Sequence, residues 1–262
     1  MSLTICVCDA HGAIKNKSID SDEVFLLFNS DYAEGDYLSI ESTEPQRHIF
    51  LQLDDTLAPS LVFLKGHSFR LPVPFGLDRQ PYSLHAFTGG MSKLSARYAY
   101  PEEISVRRNL ALNSHDWAGN GELYPHAHAN AVTRGEAQFA ARNAIDGIKA
   151  TYGHGKWPYT SWGIDKRPDA EITVEFGRKV LLDEVKLYLR ADWKQDSWWR
   201  QVSLTLSDGT GHVFATERTG EVQPFAFTAR EVEWAKLHSL VKADDPSDLP
   251  ALTQIELWGR EL

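Results

Sequence analysis

A train of short strand-like runs, with turn residues between them and no sustained helical period, constrains this chain more than any other feature. Residues 5–7, 24–28, 37–40, 48–53 and 61–64 are brief β-branched or aromatic stretches separated by polar or Gly/Pro/Asp-rich segments. Residues 84–87 and 94–98 continue the pattern. In Leu71-Pro72-Val73-Pro74-Phe75 two prolines remove ladder donors, so this stretch is no central strand. The only helix start in this half is Pro101-Glu102-Glu103, where proline suits a first helical turn. Residues 1–108 are therefore expected to form a smaller β-sandwich or barrel.

A second region, 109–262, is expected to be an antiparallel β-sandwich. Strand-like runs recur at 171–176, 184–189, 201–206, 212–215, 225–227, 231–234 and 253–258. Ser207-Asp208-Gly209-Thr210-Gly211 marks a turn between two of them. Residues 135–144, rich in Ala, Glu, Gln and Arg, predict one short helix ended by Ile145-Asp146-Gly147. Residues 243–250 read as a surface loop, and no internal repeat is visible. The fold class is all-β.

Composition removes several functions. A net charge of -9 speaks against a nucleic-acid partner, because phosphate binding needs a basic face. No apolar run reaches bilayer length, so membrane insertion is not expected. The two cysteines, Cys6 and Cys8, alternate along one strand and point in parallel, a poor geometry for a disulfide. Reduced thiols and the lack of a basic-then-apolar leader at the N-terminus favour a cytoplasmic location.

Ordered landmarks in the second region resemble the discoidin family, also called coagulation-factor type-C or galactose-binding-like domains, in its carbohydrate-binding-module branch. They begin with Asn109-Leu110-Ala111-Leu112, Asn143-Ala144-Ile145-Asp146-Gly147 and Thr160-Ser161-Trp162. Ile172-Thr173-Val174-Glu175-Phe176-Gly177 and Glu184-Val185-Lys186-Leu187-Tyr188 follow, and Ile255-Glu256-Leu257-Trp258-Gly259 closes the series. The resemblance covers roughly the last 150 residues, a usual single-domain size. It implies a jelly-roll type sandwich with Trp162 packed inside. It also implies a structural calcium ion held in part by Asp146 and Glu256, since a hard cation takes carboxylate and carbonyl oxygens. Two segments are longer than the family's, 147–160 with Tyr152, His154, Lys156, Trp157 and Tyr159, and 190–200 with Trp193, Trp198 and Trp199. Both lie where the family places ligand-contacting loops.

Sugars offer weakly hydrated C–H faces between hydroxyls, so their sites pair flat aromatics with fixed polar groups. Trp157, Trp193, Trp198 and Trp199 are the aromatic candidates, and His154, Lys156, Arg190 and Arg200 the donors. In Trp198-Trp199 only one ring of the pair points inward, because strand side chains alternate. Trp234 and Trp258 sit in strand patterns and are assigned to the core. His126-Ala127-His128, with His115-Asp116 nearby, is an alternative metal pair that lacks the further ligands zinc needs.

The expected function is non-catalytic binding of a mono- or oligosaccharide. Two alternatives remain: a protein-interaction or assembly module, homo-oligomer included, and a carbohydrate-active enzyme with a site between the two halves. No nucleophile elbow, P-loop or dinucleotide motif stands in a strand-to-helix context.

Overall fold

The computed structural model describes residues 1–194 and 196–262, and the chain is almost wholly antiparallel β-structure. The first strands are β1 (Leu3–Cys8), β2 (Ile14–Asp20), β3 (Glu23–Phe28), β4 (Tyr37–Ser42), β5 (Arg47–Gln52), β6 (Ser60–Leu64), β7 (Ser68–Pro72) and β8 (Ser92–Tyr98). A four-stranded sheet ordered β2-β1-β4-β7 and a five-stranded sheet enclose one apolar core. In β3, Val24, Leu26 and Phe28 enter that core while Phe25 and Leu27 face solvent, the alternation a pleated strand imposes. β1 is central and buried along its whole length, and Cys6 and Cys8 are free, buried thiols. β7 ends on Pro72 and pairs only with β4, so the proline sits on an edge that lacks no ladder bond.

Two readings of this half are corrected. Residues 84–87 form a turn, with Leu84 83% exposed and Phe87 at φ 54°. An apolar run without a neighbouring strand has nothing to pair with, and the Asp54 carboxylate accepts the Phe87 N–H instead. β2, a polar stretch without clean alternation, is an edge strand held by β1.

After a single turn of helix, α1 (Pro101–Ser105), come β9 (Arg108–Asn109), β10 (Leu123–Tyr124), β11 (His126–Ala129) and β12 (Trp162–Gly163). β13 (Ile172–Leu189), β14 (Trp199–Leu206), β15 (Gly211–Ala215), β16 (Gln223–Lys242) and β17 (Ala251–Glu261) complete the chain. β13 and β16 each serve both layers of a sandwich. Residues 172–175 of β13 lie between β11 and the 234–237 stretch of β16, which continues to β14 and β15. Residues 180–189 of β13 lie between β16 and β17 in the other layer. The pairing breaks between Glu175 and Val180, around Gly177. That glycine has φ +68°, and a Cβ there would stand 2.4 Å from the Tyr124 ring. The landmark Ile172 to Gly177 thus ends on the bend that carries one strand from layer to layer. Between the layers the core includes Trp162 and Trp199, both fully buried with ring centroids 6.3 Å apart.

The predicted helix over 135–144 is replaced by 3₁₀ turns at Thr133–Gly135, Ala137–Phe139 and Ala141–Ala144. Buried side chains override the local propensity. Arg142 donates to the backbone carbonyls of Ser114 and Asp116, and Asn143 to those of Ala137 and Ser161.

The two cores are stitched together. β10 follows position 109 yet completes the five-stranded sheet beside β6, and Leu123 joins the first core. Glu261, at the end of β17, accepts from Arg178 and Arg108 and lies 3.2 Å from His48. Burial alone would raise its carboxyl, but His48 and Arg178 hold it well below the usual range.

His115 is fully buried at this junction. Its Nε2 accepts the Leu53 N–H at 3.0 Å, which leaves the proton on Nδ1, 3.1 Å from Ser114 Oγ. Burial, then Arg142, depresses its pKa to about 3. The unfolded chain therefore takes up this proton before the folded one does. Stability contributed by neutral His115 is present above about pH 6.5 and falls as pH drops towards 3. Between pH 7 and pH 5 the loss from this residue should be about 2 kcal/mol. Urea titrations at both pH values should show it in the native chain and show a flatter response in His115→Gln, which keeps an acceptor for Leu53. Equal slopes in the two proteins would refute the assignment.

Candidate functional site

An open cleft of about 870 Å³ lies at one end of the second sandwich. Four stretches wall it: the 3₁₀ turns with Arg134, Gln138 and Phe139, the enlarged loop with His154 to Tyr159, the segment from Arg190 to Asp196, and the loop before β17 with Ser247 and Leu249. It gathers His154, Lys156, Trp157, Arg190 and Trp193 from the expected set. Trp157 and Trp193 remain 39% and 42% exposed, although both are large and apolar enough to gain from burial. The His154 ring meets Trp193 edge-on, with centroids 4.9 Å apart.

Trp198, Trp199 and Arg200 are not in the cleft. Trp199 points into the sandwich core, and Trp198 packs half-buried against its margin. The alternation argument holds for this pair, with the inward ring at Trp199. Arg200 is exposed on β14, away from the cleft lining. Trp258 also departs from its expected core position. It lies half-buried between the cations of Lys186 and Arg107, 4.2 and 5.4 Å from its ring, and donates to Glu256.

Arg190 has a different task from the expected one. Its guanidinium donates to the carbonyls of Ala150 and Gly153 at 3.1 and 2.6 Å and of Thr160 at 2.5 Å. These bonds close the enlarged loop upon itself and leave little of the group for a ligand. The loop is also braced from outside, because the Trp157 N–H donates to the Gln80 carbonyl of the first half at 2.9 Å. Asp196 folds the second segment by accepting the N–H groups of Asp192 and Trp193 at 2.8 and 2.9 Å. Burial pushes the Asp192 carboxyl up in pKa, and Arg190, 3.6 Å away, opposes the shift.

Arg134, Gln138, Phe139, Ser161, Asp196 and Leu249 line the cleft without having been expected there. Tyr159 was legible as part of an aromatic loop. The 3₁₀ turns and the 243–250 loop carried no such signal, since only the fold brings them to the same rim.

The two carboxylates expected to hold calcium have separate partners. Asp146 Oδ1 accepts the Ile148 N–H and the Gln254 side-chain amide at 2.8 and 2.7 Å, and the same amide donates to the Asn143 carbonyl. Glu256 pairs with the Lys149 ammonium and accepts from Trp258 Nε1. A calcium ion wants six to eight oxygens around it. Here an amide nitrogen sits between the Asn143 carbonyl and Asp146, and an ammonium sits on Glu256. As arranged, these residues do not fit the ion, although Asp146 Oδ2 is buried without a partner among the described residues. Burial pushes the Asp146 pKa up to about 6.

The histidine pair is also structural. His126 Nδ1 lies 2.8 Å from Asp116, whose other oxygen accepts the Ala127 N–H, while His128 reaches Glu175 on the neighbouring strand. Burial works against a proton on His126, but Asp116 outweighs it and the pKa is raised.

No protein-family model matches the chain, and no curated protein sequence matches it. Solved structures to which it is similar include carbohydrate-binding modules and lectin domains. Chitosan-binding module 1 from a chitosanase/glucanase of Paenibacillus sp. IK-5 is 22% identical, with 58% of this chain and 99% of that one covered and a TM-score of 0.43. The lectin domain of lectinolysin complexed with Lewis B antigen is 19% identical, with coverage of 59% and 98% and a TM-score of 0.41. The family 32 module of NanJ from C. perfringens, in complex with galactose, is 14% identical, with coverage of 50% and 91% and a TM-score of 0.39.

Proposed function

We propose that this chain is a non-catalytic carbohydrate-binding protein whose ligand lies in the cleft beside Trp157 and Trp193. The observation that carries this reading is two solvent-exposed indoles in one cleft with Lys156, Gln138 and Ser161. Indole faces take the C–H face of a sugar ring, and the polar groups select among hydroxyls. Among the described residues Asp196 is the one acidic residue that lines the cleft, with Asp192 within 4.8 Å of it, and the state of both favours binding over hydrolysis. Both oxygens of Asp192 are buried, and Asp196 is committed to backbone N–H donors. Glycoside hydrolysis needs two carboxyl groups that flank the scissile bond.

A glycan array followed by calorimetry tests the proposal. Trp157→Ala and Trp193→Ala should each weaken the affinity by about tenfold or more while the fold is kept, since both side chains already stand partly in water. Absence of binding across a broad array, or unchanged affinity in both variants, would remove sugar as the ligand.

A second reading, an assembly surface, draws on one observation. Phe25 and Leu27 stand exposed on β3, an edge strand of the five-stranded sheet. A stable dimer by mass measurement in solution, lost in Phe25→Ser/Leu27→Ser, would favour it.

A further inference from the structure

Beside the cleft stand three groups with the spacing of a metal site, two of which, His154 and Asp196, line it. One ligand atom each from His154, Asp192 and Asp196 lie within 4.8 Å of one another. His154 Nε2 is 3.3 Å from Asp196 Oδ2 and 3.9 Å from Asp192 Oδ2. Ligands about 2.0–2.1 Å from a tetrahedral ion stand roughly 3.3 Å apart, so the imidazole and Asp196 already have this separation. Asp192, 3.9 Å from the imidazole and within 4.8 Å of the Asp196 ligand atom, would have to close in to match it.

The second observation is Asp192 itself. Its side chain is 6% exposed, and both its carboxylate oxygens are buried without a hydrogen-bond partner among the described residues. Arg190 does not remedy this. It approaches no closer than 3.6 Å, its two Nη groups donate to loop carbonyls, and its Nε–H is itself buried without a partner among the described residues. A buried carboxylate without a donor is costly, and a cation between it and His154 would remove the cost. Asp196 Oδ2 accepts two backbone N–H groups and is within hydrogen-bond distance of His154 Nε2, contacts that fix the direction of the carboxylate and that an ion would share or replace at that oxygen. His154 is half-exposed, which leaves the fourth position open to the cleft.

We propose that His154, Asp192 and Asp196 bind a divalent transition-type cation, with Zn²⁺ the best fit and water completing the shell. One imidazole with two carboxylates suits such an ion, whereas calcium prefers a set made of oxygens alone. The ion would tie the enlarged loop to the 190–196 segment and steady Trp193 through its contact with His154.

The full chain, stripped with a chelator, should take up one equivalent of Zn²⁺ in calorimetry and gain thermal stability on doing so. Cobalt(II) in its place should give the visible absorption of a four- or five-coordinate centre. His154→Ala and Asp192→Asn should each weaken Zn²⁺ binding by at least about tenfold, and His126→Ala should leave it unchanged. His154 is half-exposed, so its variant is expected to fold, and circular dichroism checks this. No uptake of Zn²⁺, uptake that survives His154→Ala, uptake lost in His126→Ala, or displacement by an equal concentration of Ca²⁺ would each overturn the site. All measurements are made without sugar, so failure of the carbohydrate reading would leave them intact, and the reverse.

Discussion

Arg190→Ala is expected to cost about 3–5 kcal/mol of stability, the range seen when one partner of a buried charged cluster is removed, and to abolish ligand binding. The side chain is almost wholly buried, and its guanidinium satisfies the carbonyls of Ala150, Gly153 and Thr160. Hydrogen bonds from a charged donor are worth about 1.5–3 kcal/mol each, and deletion also strands the acceptors. Asp192 would lose its nearest cation as well. The loop that carries His154 and Trp157 would then lose the bonds that close it and keep only the short Tyr159-to-Lys156 turn, so the cleft should disappear before the sandwich does. Arg190→Lys should recover part of the stability, because a point charge reaches fewer of the carbonyls than a planar fork does. Chemical denaturation together with a glycan-binding assay on both variants measures this. A stability within about 1 kcal/mol of the native chain, with binding retained, would show that the loop holds itself without Arg190.

Gly259→Ala is expected to be comparably severe, for a reason unrelated to the cleft. A Cβ at this position would stand 2.1 Å from the Leu181 carbonyl oxygen and 3.0 Å from Leu182 Cα. Both are backbone atoms of the paired strand, so no side chain is available to swing aside. The glycine pairs with Leu182 on one side and Arg108 on the other, next to the Glu261 cluster that joins the two halves. Relief requires β13 and β17 to separate there, and a loss of about 3 kcal/mol or more should follow. Gly211→Ala makes the proper control. It lies in a strand with open space around it and should change stability by no more than about 0.5 kcal/mol. Urea unfolding of the pair decides the matter, and similar midpoints would contradict the steric account.

Much of the sandwich was legible because its strands alternate or run apolar, as in β3 and the first part of β13. What escaped did so for physical reasons. β2 is a solvated edge strand whose pattern is set by one neighbour, so Ile14-Lys15-Asn16-Lys17 carries no strand signature of its own. The 135–144 segment has helical composition, yet buried Arg142 and Asn143 bond to distant carbonyls and break it into turns. At the candidate site, the two enlarged aromatic loops singled out in the sequence supply part of the cleft wall. Which ring faces outward depended on the phase of the pleat, and Trp199 faces in. The role of Arg190 depended on a loop conformation that no local pattern encodes. Asp192 and Asp196 became interesting only when the fold set His154 against them.

The hydrogen bond from Trp157 to Gln80 has a consequence for engineering. Binding modules are commonly moved between hosts as cassettes, cut at the boundary of a sandwich. A cut here between 108 and 109 would carry away the indole but leave its brace behind. It would also strip β10 of its partner β6 and turn Leu123 out into water. The recognition proposed for this chain would therefore be a property of the joined halves, and a graft made to test it must take both.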